Sequence, residues 1–142
     1  MVKRVLVPVD GSEQARAALE YALEEFAEER VTILHVIDPR EFNTYGGIEG
    51  WVDLDQLREQ RREQAKKIVE KARERAEERG LTVETEVVTG KDARAILDYA
   101  TEHDVEHIVM GSHGRSGISR VLLGSVAENV VRRSPIPVTV VR

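Results

Sequence analysis

The sequence predicts an α/β domain in which helices cover both faces of a parallel sheet. Five short apolar runs alternate with longer stretches whose apolar residues recur at helical spacing, and this alternation is typical of right-handed βαβ units. The length of 142 residues and the hydrophobic fraction of 41% fit a single core. We therefore expect residues 1–142 to form one domain.

The composition excludes several classes of protein. The chain has no cysteine, which rules out disulfides, thiolate zinc sites and cysteine nucleophiles. No apolar run approaches the ~20 residues of a membrane span, and residues 1–10 hold too short an apolar run for a secretory signal. The formal net charge of −5 disfavours nucleic acid as a partner. We expect a cytoplasmic protein with no membrane insertion and no nucleic-acid partner.

The first two strands are predicted at the first two apolar runs. Val5–Val9 is followed by Asp10–Ser12, a cluster typical of a turn and a helix start. A helix is expected next, because apolar residues recur at helical spacing over residues 15–26. The second run, Val31–Ile37, ends at the turn signal Asp38-Pro39.

A loop and a long helix are predicted after the second strand. Residues 41–52 carry three glycines and no periodicity, and Tyr45 and Trp51 in this loop would either cover a pocket or pack on the core. The mixed charges and apolar stripe of Leu54–Arg79 favour a solvated surface helix over a coiled coil. Gly80 would end this helix.

The second half of the chain continues the alternation. Leu81–Val88 alternates apolar and polar residues, which predicts a strand with one exposed face at an edge of the sheet. A short helix with residues 93, 96, 97 and 100 facing inward precedes the fourth run, Val105–Met110. A last helix should end near Arg133, and residues 135–141 would form the fifth strand.

The carboxyl ends of the predicted strands indicate where a ligand would bind. Open parallel sheets bind ligands in the crevice beyond these ends, at the point where the strand order reverses. The residues expected at this edge are Asp10, residues 35–38 and the loop after Met110.

The loop after the fourth strand is the most informative segment. From Gly111 to Gly124 it spans fourteen positions, four of them glycine, which is long for a βα connection. Glycines let a ligand approach the backbone, and successive N–H groups form an anion-binding concavity. A helix starting at Ser125, with Ser125 as N-cap and Glu128 completing a capping box, would add a positive helix end. The alternatives are a phosphate site and an ordinary flexible connection.

Other phosphate motifs do not match this loop. No Gly-Lys-Ser/Thr follows the glycines, and the first turn lacks the dinucleotide fingerprint. A phosphoacceptor receiver domain is excluded because Asp10 has no acidic neighbour. Phosphates would be held by backbone amides, Ser125 and Arg115, in a region where residues 108–142 carry 5 basic residues and 1 acidic residue.

Four positions of the loop match a nucleotide signature. Gly111, Gly114, Gly124 and Ser125 satisfy the spacing G-x2-G-x9-G-[S/T], and the whole chain resembles the universal stress protein (UspA-like) family, in particular its ATP-binding subgroup. The resemblance implies a three-layer α/β sandwich with a five-stranded parallel sheet of order 3-2-1-4-5, Rossmann-like and similar to the adenine nucleotide alpha hydrolases. The flanking segments that also match are Val5–Ser12, Leu34–Val36 and Gly124–Glu128.

The resemblance implies ATP as the ligand, accompanied by Mg²⁺ or Mn²⁺. Val36 would hold adenine through its backbone, Gly111 and Gly114 would approach the ribose and the α-phosphate, and the start of the last helix would cradle the outer phosphates. The expected ATP-binding residues are Pro8, Val9, Asp10, Val36, Met110, Gly111, Gly114, Arg115, Gly124, Ser125, Val126 and Ala127.

Asp10 and His113 leave the question of catalysis open. The Asp10 carboxylate would either hold a divalent ion among the phosphates or cap the first helix. Hydrolysis of ATP needs an oriented water and neutralised charge, for which Asp10, His113 and Arg115 are the candidates. His113 would either orient a phosphate or lie in solvent as a loop histidine. We expect at most a weak ATPase.

The last strand suggests an oligomeric state. Ile136–Val141 is apolar on both faces and lies at a sheet edge in the order that the resemblance implies, and such an edge invites pairing with another chain. UspA-like proteins commonly dimerise through this strand, which predicts a homodimer, although Pro135 and Pro137 could blunt the edge. The expected function is an ATP-binding stress-response regulatory module with an unknown protein partner. The alternatives are a nucleotide-free dimeric interaction protein and a true ATPase.

Overall fold

The computed structural model describes residues 3–40, 53–113 and 123–142. The predicted 41–52 loop, with Tyr45 and Trp51, lies outside the described residues, as do Gly114 and Arg115 of the predicted site. The elements in chain order are β1 (Arg4–Pro8), α1 (Glu13–Glu25), β2 (Arg30–Ile37), α2 (Leu54–Glu78), β3 (Glu84–Thr89), α3 (Asp92–Glu102), β4 (His107–Gly111), α4 (Ser125–Arg133) and β5 (Val138–Val141).

The five strands form one parallel sheet in the order β3-β2-β1-β4-β5. This result confirms the predicted fold class and strand order. The order reverses between β1 and β4, which pair with Val5 opposite His107 and Leu6 opposite Ile108. The crevice expected of such a fold therefore opens at the carboxyl ends of these two strands.

Two layers of core enclose the sheet because successive strand residues point to opposite faces. Val5 and Val7 pack with α1 and α2 on one face. Leu6, between them in the sequence, packs with α3 and α4 on the other face. All three side chains are essentially inaccessible to water, as expected for a central strand of a parallel sheet covered on both sides.

The long helix α2 ends as the sequence predicts. Gly80 follows it with φ of +73°, a left-handed conformation that glycine adopts without steric cost. The N–H groups of Gly80 and Leu81 donate to the carbonyls of Glu77 and Ala76 at 2.9 and 3.0 Å. These bonds satisfy carbonyl groups that the end of the helix would otherwise leave without a partner.

Both edge strands begin later than the sequence predicts. β3 lies at an edge with most of its residues exposed, as predicted. It spans Glu84–Thr89, so the prediction of a strand over Leu81–Val88 was wrong at its start. β5 begins at Val138, and the prediction that strand five spans residues 135–141 was wrong at its start. Pro135 and Pro137 carry no N–H for a strand ladder, and Pro137 contributes only its carbonyl, which accepts from Ile108 at 3.0 Å.

One buried side chain was missed in α3. Ile96 and Ala100 are buried as predicted, but Tyr99 is buried as well, with 7% of its surface exposed. Burial is the main reason that the pKa of the Tyr99 hydroxyl is raised, with Glu86 and Glu84 adding to it. Among the helices that the structure describes, none is long and apolar enough to span a membrane.

Candidate functional site

The predicted site residues of β1, β2 and β4 meet at the carboxyl edge of the sheet. Pro8 lies opposite Leu34 in the register of β1 and β2, and the Val9 N–H donates to the Leu34 carbonyl at 2.8 Å. Val36 lies two residues further along β2, paired with Val88 of β3. On the other side of β1, Met110 and Gly111 end β4. The crevice therefore has walls from three neighbouring strands.

The turn after β1 is held by two side-chain oxygens. Oδ1 of Asp10 accepts a hydrogen bond from the Ser12 N–H at 2.9 Å, and Oγ of Ser12 accepts from the Ala15 N–H at 3.1 Å. Ser12 is therefore the N-cap of α1, and the alternative that Asp10 caps this helix was wrong. Asp10 instead closes an Asx turn, which accommodates the positive φ of Gly11.

His35 contributes a contact that the sequence did not reveal. Its Nδ1 lies 2.7 Å from the carbonyl oxygen of Val9, in a half-buried position. The sequence places His35 at the correct end of β2, but nothing in a strand pattern indicates that its ring reaches across to the neighbouring strand. The contact ties β2 to the last residue before Asp10.

A second carboxylate at this edge, Asp38, has a structural role. It is 3% exposed and forms an ion pair with Arg40, with Nη2 of Arg40 2.6 Å from Oδ2. Hydrogen bonds from the Arg40 side chain are the main reason that the pKa of Asp38 is lowered, and the Asp92 backbone N–H adds to the effect. Because Asp92 is the first residue of α3, the Asp38 carboxylate lies near the N-terminus of that helix.

Gly111 is required by packing against α1. A Cβ at this position would lie 2.7 Å from the backbone carbon of Gln14 and 2.8 Å from its carbonyl oxygen. From the sequence, we expect a glycine here because it lets a ligand approach the backbone. The described structure gives a second reason, since the end of β4 rests on the first turn of α1. Any side chain here would push the two elements apart.

Ser112 closes the base of the long loop. It is 2% exposed, its N–H donates to the Val141 carbonyl at 2.8 Å, and its own carbonyl accepts from the Gly124 N–H at 2.6 Å. The start of α4 is thereby brought back to the end of β4. The signature residues Gly111, Gly124 and Ser125 consequently lie at one place in the fold.

The start of α4 differs from the prediction. Gly124 is the N-cap, Ser125 is the first helical residue, and the predicted capping box was wrong. Glu128 is one position too far into the helix to reach back to the N-cap, and its carboxylate pairs with Arg132 at 2.6 Å. Ser125 is exposed and Val126 half-buried, while Ala127 is buried in the core.

The helix starts also differ in how they are capped. α1 and α2 each receive a side-chain oxygen from their own N-cap residue, Ser12 and Asp53, whereas the N-cap of α3, Lys91, makes no side-chain cap hydrogen bond. The N-cap of α4 is Gly124 and has no side chain to offer. The N–H groups of its first turn point, with the positive end of the helix dipole, toward the carboxyl edge of the sheet.

His113 and Asp10 are the titratable candidates for chemistry. Nδ1 of His113 lies 3.0 Å from Oγ of Ser112, so its ring is held at the base of the loop. Within residues 3–40, 53–113 and 123–142, no group of three or more His, Asp or Glu side chains could hold a metal ion. A cation at Asp10 would therefore need ligands from a bound phosphate.

The fold defines a Rossmann-like α/β protein with a crevice at the carboxyl edge of its sheet. Residues 1–142 match the sequence profile of the universal stress protein family. The chain belongs to the universal stress protein family.

Known members are similar over their whole length. Universal stress protein MJ0577 of Methanocaldococcus jannaschii is 36% identical over 155 residues, covering 100% of this chain and 96% of the relative. The MJ0577 structure matches with a TM-score of 0.83, covering 99% and 96% of the two chains. Universal stress protein YxiE of Bacillus subtilis is 36% identical over 149 residues, covering all of both chains. A universal stress protein solved in complex with cAMP is 27% identical, with a TM-score of 0.66 over 99% of this chain and 96% of that one.

Proposed function

We propose that this chain is a cytoplasmic stress-response regulatory module that binds ATP at the carboxyl edge of its sheet. The observation that carries the proposal is the start of α4, where Gly124 supplies no side-chain cap and Ser112 ties the start of the helix to the end of β4. A helix start of this kind, beside the reversal of strand order, suits a phosphate group. The relative solved with cAMP supports an adenine nucleotide as the ligand.

The phosphate end of the site is formed by the family signature. The backbone N–H groups of Ser125, Val126 and Ala127 would donate to the outer phosphates, and the exposed Ser125 hydroxyl would add a further donor. The burial of the Ala127 side chain does not conflict with this role, because the ligand would contact its N–H group. Gly114 and Arg115 belong to the proposal on the sequence signature alone.

The base and ribose end of the site is formed by β1 and β2. Val36 would hold adenine through backbone groups, with Pro8 and Val9 beside the base and the ribose. Mg²⁺ or Mn²⁺ would accompany the phosphates, with Asp10 as the protein ligand. A single half-buried carboxylate suits Mg²⁺, which keeps most of its waters and takes its other ligands from phosphate oxygens.

Equilibrium dialysis with labelled ATP and Mg²⁺ or Mn²⁺ tests the proposal. We expect saturable binding of ATP to the wild type and about 10–100-fold weaker binding to Gly124→Val. The branched side chain would keep a phosphate from the N–H groups at the start of α4, and the charged hydrogen bonds between them would be lost. The φ of −71° at Gly124 allows valine without strain. Gly80→Ala, at the far end of α2, is the control that should bind like the wild type. Absence of saturable binding by the wild type would overturn the proposal in favour of a nucleotide-free interaction protein.

Slow hydrolysis of the bound ATP is an extension of the same proposal. Asp10 would hold the metal ion that neutralises the transferred phosphoryl group, and His113 lies at the base of the same loop. Turnover that Asp10→Ala abolishes while ATP still binds would support it. Turnover that survives every change at the site would come from a contaminating enzyme.

A homodimer through β5 is proposed on a separate observation. All four residues of Val138–Val141 are half-buried at the outer edge of the sheet, and none of these four side chains is charged. We expect a dimer mass by ultracentrifugation and a monomer for Val140→Lys, which places a charge at the paired edge. Val87→Lys, on the opposite edge strand, is the matched control and should leave the mass unchanged. A monomeric wild type at micromolar concentration would contradict the proposal.

A further inference from the structure

We propose that His35 is a positioning residue of the nucleotide site, which holds the Val9–Asp10 peptide and through it the Asp10 carboxylate. The inference rests on the proposed function, because it assigns a role in ATP binding. It concerns a side chain outside the glycine-rich nucleotide signature.

The hydrogen bond of His35 determines which ring nitrogen carries the proton. Nδ1 lies 2.7 Å from the carbonyl oxygen of Val9, and a carbonyl oxygen can only accept a hydrogen bond. Nδ1 is therefore the donor, and the neutral ring is in the Nδ1–H tautomer. Such a bond fixes the orientation of the imidazole ring and also that of the carbonyl group that it contacts.

Val9 is held from β2 at both of its backbone polar groups. Its N–H donates to the Leu34 carbonyl at 2.8 Å, and its carbonyl accepts from the His35 ring. Val9 is buried, so a carbonyl left without a partner there would be costly. Two successive residues of β2, Leu34 and His35, thus fix the residue that directly follows β1.

The same bond orients the peptide that leads into Asp10. The Val9 carbonyl and the Asp10 N–H belong to one planar unit, so a ring that fixes the carbonyl also fixes the direction in which the chain enters Asp10. On the far side, Oδ1 of Asp10 accepts from the Ser12 N–H at 2.9 Å. The carboxylate is therefore positioned from both sides, by His35 before it and by Ser12 after it.

Two substitutions at position 35 separate the hydrogen bond from the ring. Asparagine carries Nδ2 on Cγ, where histidine carries Nδ1, so His35→Asn can keep the bond to Val9. His35→Leu fills a similar volume without a donor. We expect ATP to bind about three- to tenfold more weakly to His35→Leu, which is the loss of one hydrogen bond, and within about twofold of wild type to His35→Asn. Equal affinity of both variants, whether reduced or not, would overturn the proposal.

A double-mutant cycle with Asp10→Asn tests the route through Asp10. If His35 acts by positioning this carboxylate, His35→Leu should matter little in a protein that already carries Asp10→Asn. The fold-losses in ATP affinity of the two single variants should therefore not multiply in the double variant. Losses that multiply fully would show that His35 acts on the nucleotide by another route, and would overturn the proposal. Unfolding curves of every variant ensure that each affinity is measured on folded protein.

His107 provides a matched control elsewhere in the sheet. Its Nε2 lies 2.7 Å from Oγ1 of Thr139, in a half-buried position near the start of β4. His107→Leu should leave ATP affinity unchanged, and an equal loss there would indicate a general effect of removing sheet histidines. A wild type that does not bind ATP overturns the proposed function and this inference together. A wild type that binds, with His35→Leu unaffected, overturns this inference alone.

Discussion

The starts of α1 and α4 lie at the same edge of the sheet and are built in opposite ways. At α1, the Ser12 hydroxyl accepts from the Ala15 N–H, and Asp10 accepts from the Ser12 N–H. At α4, the N-cap is Gly124, without a side chain, and the segment is held by backbone bonds through Ser112. The first helix start is satisfied by its own side chains, whereas the second offers its N–H groups outward.

This difference separates a structural helix start from one suited to a ligand. Both ends carry the same partial positive charge from the helix dipole, so charge alone does not distinguish them. What distinguishes them is whether the protein itself supplies the oxygen acceptor. Substitutions at the two ends should therefore affect different properties of the protein.

The largest expected effect comes from Gly111, where β4 rests on α1. Gly111→Ala should lower the free energy of unfolding by about 3 kcal/mol, the upper end for overpacking, because the atoms in the way are backbone. Urea denaturation measures it. In the control Gly90→Ala the new Cβ meets a side chain, Ala95 Cβ, at 3.2 Å, and the loss should be smaller. Equal losses would contradict the assigned packing role.

The ion pair between Asp38 and Arg40 should give the next largest effect. Asp38→Asn should lower the free energy of unfolding at pH 7 by about 2 kcal/mol, because it removes charged hydrogen bonds from a buried group. The folded-state pKa of Asp38 lies below its ordinary value of 3.8. Its contribution is therefore complete above that value and is lost as the pH falls through the folded-state pKa.

Chemical denaturation from pH 7 down to strongly acidic pH measures the Asp38 effect. The gap between wild type and Asp38→Asn should narrow below about pH 4. Asp98→Asn is the control, since Asp98 is an exposed carboxylate of α3 whose Oδ2 lies 3.8 Å from Nε of Arg94. A gap that stays constant with pH would show that the charge of Asp38 is not responsible.

A paired substitution of two serines compares the helix starts directly. Ser12→Ala should cost about 1 kcal/mol of stability through loss of a cap, whereas Ser125→Ala should leave stability nearly unchanged and weaken ATP binding. Thermal unfolding and ATP dialysis on both variants measure the two properties. A stability loss at Ser125 equal to that at Ser12 would contradict the difference between the two ends.

The smallest effect concerns Glu128, which pairs with Arg132 along α4. Glu128→Gln should cost about 0.3 kcal/mol, typical of an exposed i,i+4 pair, and molar salt should abolish the difference. Arg132→Gln should give the same loss, measured by denaturation at low and high salt. A loss near 1 kcal/mol that salt does not change would instead indicate a capping role.

The sequence predicts the fold well because parallel strands buried on both faces have an unmistakable apolar pattern. The elements around Leu6 and Ile108 follow from that pattern alone. Local hydrogen bonds are harder to predict, because a cap depends on where a helix begins to within one residue. That uncertainty explains the errors at Asp10 and Ser125, which each lie within two residues of the true N-cap.

The contacts missed at the candidate site join residues that are far apart in the sequence. Asp38 resembles an ordinary turn residue in the sequence, and only the fold brings it close to Asp92 at the start of α3. His35 reaches Val9 across 26 positions, and Gly111 meets Gln14 across the reversal of strand order. A strand or loop pattern contains no information about such pairs.

The contact between Gly111 and Gln14 also constrains how a ligand enters. β1 and β4 are neighbours in the sheet, and the first turn of α1 lies directly against the end of β4. A hinge that separated the two walls of the crevice would have to break the strand pairing and this contact at the same time. We therefore expect the width of this crevice to be the same with and without the proposed nucleotide, which would enter and leave along the direction of the strands.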